Sequence, residues 1–579
     1  MQNLFIQQSM RKNQDLIVNA SDIDQTLNFT IFRFRETGVR LLAVLCLLFA
    51  APGFSQTTVK YEASAYGLIS PKEGQMPHWL IYNRNGIFKG DRNEFVSRLD
   101  LDFEHTFGKW TLEAGLSGVG KFPMNESHAQ EAYLNLSYGK LKLITGLEEQ
   151  RYGDYHPGLS SGSFYISGNA RPFPRVGAGF YEYVDVPFTN GYVQVRGFLN
   201  QGILNDDRGP LGTDKPLFHE KTAYIRTNKL PVNLHVGVSH SALFGGTHRN
   251  GSKIPVDYFA TFFANPSDKV GKVFWGEATN VAGGHFGVFD FGADFKVEEA
   301  EVQTYFQIPV RDMSGMNGTF RKNKDHIFGI SVKNINSSLI SEFSYERVNT
   351  KWQCGPGLPD PVVNGKYYVA FQITDYDKFL FDNYGIVVEN ISEHDFWLFI
   401  RKKENYGYLY GGRDSYYNNG MYYKGWSYHG AALGNSLLLT LDRVKSINPG
   451  FDGSYDSFFA NTRVSAHHFG VRGAFAKNLD YRLLYTHTYN LGTYAGLNKG
   501  CLNWDSMNPD SDYKYYFTYP DSDHIGKNEA YILLETVYTL PSAPHFKLNL
   551  NVGFDYGRLY RNYGVLAGLT YTGHILKKK

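Results

Sequence analysis

Between Phe546 and Tyr556 the chain reads FKLNLNVGFDY. Phe546, Leu548, Leu550, Val552, Phe554 and Tyr556 alternate without a break with Lys547, Asn549, Asn551, Gly553 and Asp555. A period of two places successive side chains on opposite faces of a β-strand, one face oily and one wet. The run is longer than the ~5–6 residues of most soluble strands and matches the ~9–11 needed to cross a bilayer at a tilt. The same alternation recurs at Phe95–Glu104, 110–116, 132–138, 141–145, 191–199, 222–227, 232–241, 286–297, 302–308, 326–333 and 339–348. It returns at 367–373, 396–402, 437–443, 463–476, 481–489, 530–540 and 564–576. Residues 57–92 read as mixed, with turn signals and no convincing helix. The pattern predicts an all-β fold, a transmembrane antiparallel β-barrel with strands in the high teens, apolar outside and polar within.

The turns sort by length. Gly108-Lys109 and Gly139 mark tight hairpins, whereas 148–175, 243–283, 349–366, 404–432, 445–460 and 491–527 are long. Barrels keep short turns on the periplasmic side and long loops outside, so the long connections are expected at the outer surface or folded into the lumen.

Composition agrees with this reading. The chain has 579 residues, 42% of them hydrophobic and 16% aromatic, with 42 Tyr, 43 Phe and 60 Gly. A mean hydropathy of −0.35 excludes a helical membrane protein, while a barrel must alternate polar and apolar residues. Aromatic residues serve barrel girdles, and Tyr also serves sugar-binding surfaces. A formal net charge of +2 leaves no nucleic-acid footprint.

At the amino end, Arg33, Arg35 and Arg40 precede the apolar run Leu41–Phe54, and Gly53 and Ser55 are small residues before a cut at Gln56. Residues 1–55 are expected to be a leader with a cleavable signal peptide, and 56–579 an outer-membrane β-barrel with long loops. Residues 1–32 fit either an overlong start or a long leader. A lipoprotein reading of Cys46 lacks a small residue just before the cysteine. Export with barrel strands implies a Gram-negative outer membrane, with its lipid and the barrel assembly machinery as partners. The chain ends in Lys577-Lys578-Lys579, where many such barrels end in an aromatic residue.

Little in the sequence suggests catalysis, a metal or a cofactor. The adjacent His467 and His468 point to opposite faces of a strand and cannot share one metal from there. Cys354 and Cys501 both lie in or beside long loops, and either a disulfide or two separate thiols fits them. Arg98, Asp100, Asp102 and Glu104 form a charged lumen row, which suits a pathway or simple pairing across strands. Pro172 and Pro174 stiffen the stretch Asn169–Val176 into a strap, and Arg171 and Arg175 are expected to pin it to lumen carboxylates. The connection Tyr406–Tyr428 is the richest in aromatics. It reads either as an interfacial girdle or as a polysaccharide contact or lid using Tyr416, Tyr417, Tyr422, Tyr423 and Trp426, with Asn418 and Asn419 meeting hydroxyls.

One further pattern covers nearly all of the chain after the leader. It comprises NARPFPRV at Asn169–Val176, PHWL at Pro77–Leu80, NRNG at Asn83–Gly86 and GLEE at Gly146–Glu149. FHEKTAYIR follows at Phe218–Arg226, then LHVGVSHSALFGG at Leu234–Gly246, YERVNTKWQCGP at Tyr345–Pro356 and NNGMYYKGWSYHGAALG at Asn418–Gly434, with the last match at Asn461–Tyr494. In this order the pieces resemble the Wzi-type capsule-assembly proteins in the form common in Bacteroidetes. The resemblance implies an outer-membrane barrel of about eighteen strands, a size within the known range. It also implies a non-enzymatic lectin that holds capsular polysaccharide at the cell surface. The best-known branch adds a periplasmic helical bundle at its amino end, which is not expected here. No catalytic residue, metal or cofactor is carried over. A porin or oligosaccharide channel is the alternative function, with a barrel enzyme acting on lipid or glycan behind it.

Overall fold

The computed structural model describes residues 55–577, apart from 123, 274–280, 312–323, 352, 354–361, 365, 368–372, 374, 404–414, 448–457 and 493–527. Its organising property is an inverted burial pattern. In the strand Phe546–Gly557, Leu550 is 48% exposed and Phe554 43%, while Asn551 is 5% and Asp555 0% exposed. Apolar side chains therefore face outward and polar ones inward, an arrangement stable in lipid around a packed or wet lumen.

Eighteen antiparallel strands make the wall. They are β1 (Ser55–Ile69), β2 (Glu94–Phe107), β3 (Trp110–Phe122), β4 (His128–Tyr138), β5 (Leu141–Leu147) and β6 (Arg175–Asp185). Next come β7 (Val193–Ile203), β8 (Leu217–Thr227), β9 (Val232–Phe244), β10 (Gly284–Val297), β11 (Ala300–Val310) and β12 (His326–Lys333). The ring continues with β13 (Glu342–Asn349), β14 (Val464–Ala476), β15 (Leu479–Asn490), β16 (Asn528–Thr539), β17 (Phe546–Gly557) and β18 (Arg561–Lys577). Sequence neighbours pair throughout, and β1 pairs with β18 from Thr58↔Lys577 to Ile69↔Val565, closing the ring. Closure leaves no unpaired edge in the bilayer.

The two ends of the barrel differ. Each even strand of β2–β16 passes to the next odd one by a short turn, as at Gly108-Lys109, where Gly108 has a φ of +60°. At that end Phe107, Trp110 and Tyr138 face outward as an aromatic girdle, with the Trp110 and Tyr138 rings 4.9 Å apart. At the other end lie the long connections, above all 70–93, 148–174, 245–283 and the segment between β13 and β14.

The strand reading needs correction at five places. β1 is a full strand where the sequence reads as mixed, because Ala63, Ala65 and Gly67 weaken its outward row, and β6 adjoins the long connection 148–175 without a strand signal of its own. Residues 396–402 belong to the helix Glu393–Lys403, and 437–443 run from a two-residue strand into the helix Leu441–Ile447. Short apolar runs of this kind fit helix and strand equally. Of 367–373, residues 368–372 lie outside the described residues. The helix His78–Ile81 also stands where none was expected, since a single turn carries no periodicity.

Candidate functional site

At the long-loop end, three segments fold into the barrel and pack on one another. The first, 70–93, carries the turn His78–Ile81, whose four side chains are buried. The His78 backbone N–H donates to Asp555 of β17 at 2.7 Å, and its ring stacks on Tyr531 with centroids 4.5 Å apart. Trp79 Nε1 donates to Thr486 Oγ1 at 3.0 Å. Leu80 presses on β17 at Gly553, where a Cβ would come within 2.7 Å of the leucine side chain. Burial and the Arg443 cation hold the His78 imidazole well below its usual range.

The second segment, 148–174, is tied to the opposite wall. Ser161 N–H donates to Glu346 of β13 at 2.6 Å, and Ser163 Oγ donates to Gln307 of β11 at 3.0 Å. Pro172 and Pro174 lead into β6, where Arg175 meets Glu220 at 3.3 Å, both side chains buried, and also donates to the Glu148 carbonyl at 3.1 Å. Arg171 differs. Its Nε donates to the Gly86 carbonyl at 3.4 Å, and no carboxylate among the described residues lies within 4.0 Å of it.

The third segment is the described part of the aromatic connection. Tyr417 OH donates to the Phe164 carbonyl at 2.6 Å, and Trp426 Nε1 to the Tyr165 carbonyl at 2.9 Å. Tyr416 OH donates to Asp325 at 2.8 Å, and Tyr422 OH to the Gly245 carbonyl at 3.4 Å. Asn418 exchanges two bonds with the Phe459 backbone at 2.8 and 2.9 Å, while Asn419 Oδ1 accepts from the N–H groups of Met421 and Tyr422. Tyr416, Tyr417, Tyr422 and Trp426 are buried in the main apolar cluster, and Tyr423 alone of the five rings is partly open. Their polar edges are satisfied by this chain and their faces by its other rings, so they close the mouth of the barrel rather than line its outer surface. Cys354, Cys501 and residues 404–414 lie outside the described residues.

On the rim above this filling, charge accumulates. Lys89 and Arg92 share Glu126, the former at 3.2 Å. Arg171, Asp206 and Lys89 are the charged groups facing the exposed His429, with the His128 imidazole beside them. Asp206 is engaged by Arg208 at 3.1 Å and by the His429 backbone N–H at 3.0 Å. Cationic groups thus outnumber free carboxylates around Arg171.

Below the filling, on the turn side, the lumen keeps a cavity of about 540 Å³. Its two arginines are paired: Arg98 meets Asp100 at 2.7 Å, Glu149 at 2.8 Å and Glu131 at 3.3 Å, and Arg84 meets Glu535 at 2.7 Å. A Ser–His pair, Ser436 Oγ and His78 Nε2 at 3.1 Å, is enclosed on all sides, and Asp555 bonds the His78 backbone rather than its ring. It has no face open to a substrate.

No family model matches the chain, and no curated protein matches it. Among solved structures it is similar to Wzi of Escherichia coli, an outer membrane protein involved in group 1 capsule assembly and described as a carbohydrate-binding β-barrel. The identity is 13% and the TM-score 0.46, over 88% of this chain and 83% of that one. It is also similar to OccK11 (OpdR) of Pseudomonas aeruginosa, at 9% identity and a TM-score of 0.41 over 90% and 96% of the two chains. OccK5 (OpdH) of the same organism gives 9% and 0.40 over 90% and 99%.

Two features escaped the sequence reading. Arg443 donates to the Met76 carbonyl at 2.7 Å and to Tyr560 OH at 2.9 Å, joining the first segment to the helix Leu441–Ile447. An arginine at the end of the apolar run LLLTLDRV was its signal. The rim group around Arg171 and His429 comes from five separate connections, and no local spacing announces it.

Proposed function

We propose that this chain is a non-enzymatic barrel of the Gram-negative outer membrane, exported by the leader in 1–55, that binds capsular or extracellular polysaccharide and anchors or organises it at the cell surface. One observation carries the reading: the long-loop end is filled by the chain's own inward-folded segments. What it offers outward is a surface, suited to a polymer that never passes through. The cationic rim around Arg171 and His429 supplies the polar part of that surface, and suits a polymer bearing carboxylates. Tyr423 lends it a partly open ring. The ordered resemblance across the mature chain points the same way. Deleting the gene in the native host should shift polysaccharide from the cell-bound to the shed fraction, and the intact gene should restore it. Unchanged partition would remove the proposal.

The lumen cavity on the turn side favours a second reading, a solute channel. Planar-bilayer recordings separate the two. The polysaccharide reading expects a silent or poorly conducting protein, and steady open conductance would favour the channel.

A further inference from the structure

Near the long-loop end, the apolar outer wall carries a polar patch on β7–β10. In β8 the outward positions are Ala223 and Ile225 and, by the same alternation without a register shift, Lys221 and His219. Beside them face Gln201 of β7, His240 of β9 and His285 of β10, the last two with ring nitrogens 3.0 Å apart. Lys221 stands directly opposite Leu199, an outward leucine that is half exposed. The polar group therefore lies at the height of lipid-facing side chains, where uncovered charge is costly.

It is not uncovered. The connection between β9 and β10 turns back over the outside of the wall and lays the helix Tyr258–Phe263 on this spot. Asp257 caps the helix by accepting from Ala260 N–H at 3.3 Å, and Ser267 Oγ donates to the same carboxylate at 2.7 Å. Residues four apart share a helix face. Tyr258 and Phe262 form the inner pair, with the Phe262 ring 4.9 Å from His219 and 4.1 Å from the Lys221 ammonium. Lys221 also donates to the Phe262 carbonyl, and Gln201 to Tyr258 OH at 3.1 Å. The outer pair is Phe259 and Phe263, 73% and 64% exposed. The exposed Lys253, Lys269 and Lys272 flank the helix.

A short helix that covers Lys221 and His219 with one face and turns two phenyl rings outward continues the apolar wall across this polar patch. We infer that the helix Tyr258–Phe263 lies in the outer leaflet of the membrane, with Phe259 and Phe263 inserted among acyl chains and the flanking lysines at headgroup level. Continuity with the half-exposed Leu199, Ile225, Leu234 and Val236 on the same strands identifies lipid as the occupant. This inference is independent of what the rim binds.

The test uses the unmodified chain in nanodiscs of phosphatidylethanolamine and phosphatidylglycerol containing a phospholipid with an acyl-chain diazirine. After photolysis, mass spectrometry should find adducts on the peptide spanning 254–269 at a frequency comparable to those around Leu234 and Val236. The double variant Phe259→Gln/Phe263→Gln should lose the former and keep the latter. The inference is overturned by adducts on the strands with none on 254–269, by labelling of that peptide no greater than of the exposed helix Tyr376–Tyr384, or by chain-to-chain links through Phe259, which would mean a second copy is the occupant. A variant that fails to fold leaves the unmodified chain's labelling pattern to decide.

Discussion

Two aromatic-rich stretches of this chain behave in opposite ways. In β17, Leu550, Phe554 and Tyr556 point outward and stay about half exposed, while Asn551 and Asp555 turn in. In the mouth, Tyr416, Tyr417, Tyr422 and Trp426 bury every ring and send each polar edge to a protein acceptor. The two share composition and differ in surroundings. On the wall the medium is lipid, which is as apolar as the side chains, so nothing drives them inward. Inside the barrel the competitor is water, and displacing it drives the rings together. Residue type alone therefore does not say which way an aromatic ring in a barrel faces.

The comparison can be broken at either end. Trp426→Ala should cost about 3–5 kcal/mol of mouth packing. It is expected to expose the third segment to limited chymotrypsin digestion and raise bilayer conductance, while heat-modifiable gel mobility shows the ring intact. Equal loss of both would mean that wall and filling fold as one unit. Leu550→Lys should cost about 2–4 kcal/mol in a lipid refolding titration, because it puts charge on the lipid face. A neutral result would place β17 away from the bilayer.

Acid should act on the inward-folded segments and spare the wall's outer face. Burial, with the Lys333 cation, pulls His156 from its reference value of 6.5 to about 4, against the opposing pull of the Glu342 carboxylate 3.1 Å away. Burial likewise depresses His78. Unfolded segments therefore take up protons first as pH falls, so the contribution of these groups is complete above about pH 6.5 and fades toward about pH 4. Protease protection of 70–93 and 148–174 should decline across that window. Protection that is flat, or better in acid, would contradict the burial of these imidazoles. The smallest effect is at the rim. Arg171→Gln should weaken purified-polysaccharide binding about fivefold, the ~1 kcal/mol of one partly exposed charge, with unchanged melting. Loss of melting temperature with binding intact would make Arg171 a structural strap residue instead.

Most of the wall was legible because lipid on one side and polar filling on the other impose a strict period of two. It blurred where the outward row is Ala63, Ala65 and Gly67, too small to register as apolar, and where β6 follows directly on two prolines. The mouth was hardly legible. Tyr417 and Trp426 announce a packed or sugar-binding surface equally well, and their acceptors, the Phe164 and Tyr165 carbonyls, lie over 250 residues away in sequence. Arg175 and its buried carboxylate partner Glu220 could be guessed from the rigid Pro172–Pro174 approach, whereas Arg171, on the same strap, meets a backbone carbonyl because Gly86 brings the first segment against it.

The cross-links of the mouth also constrain the order of assembly. The segment 70–93 follows the first strand, yet its anchors are Thr486, Tyr531 and Asp555, on three of the last four strands. Such distant contacts form slowly, because chain closure must precede any reward. The early segment can therefore dock only after the last strands are in place. Sealing the seam and filling the mouth are thus coupled late events.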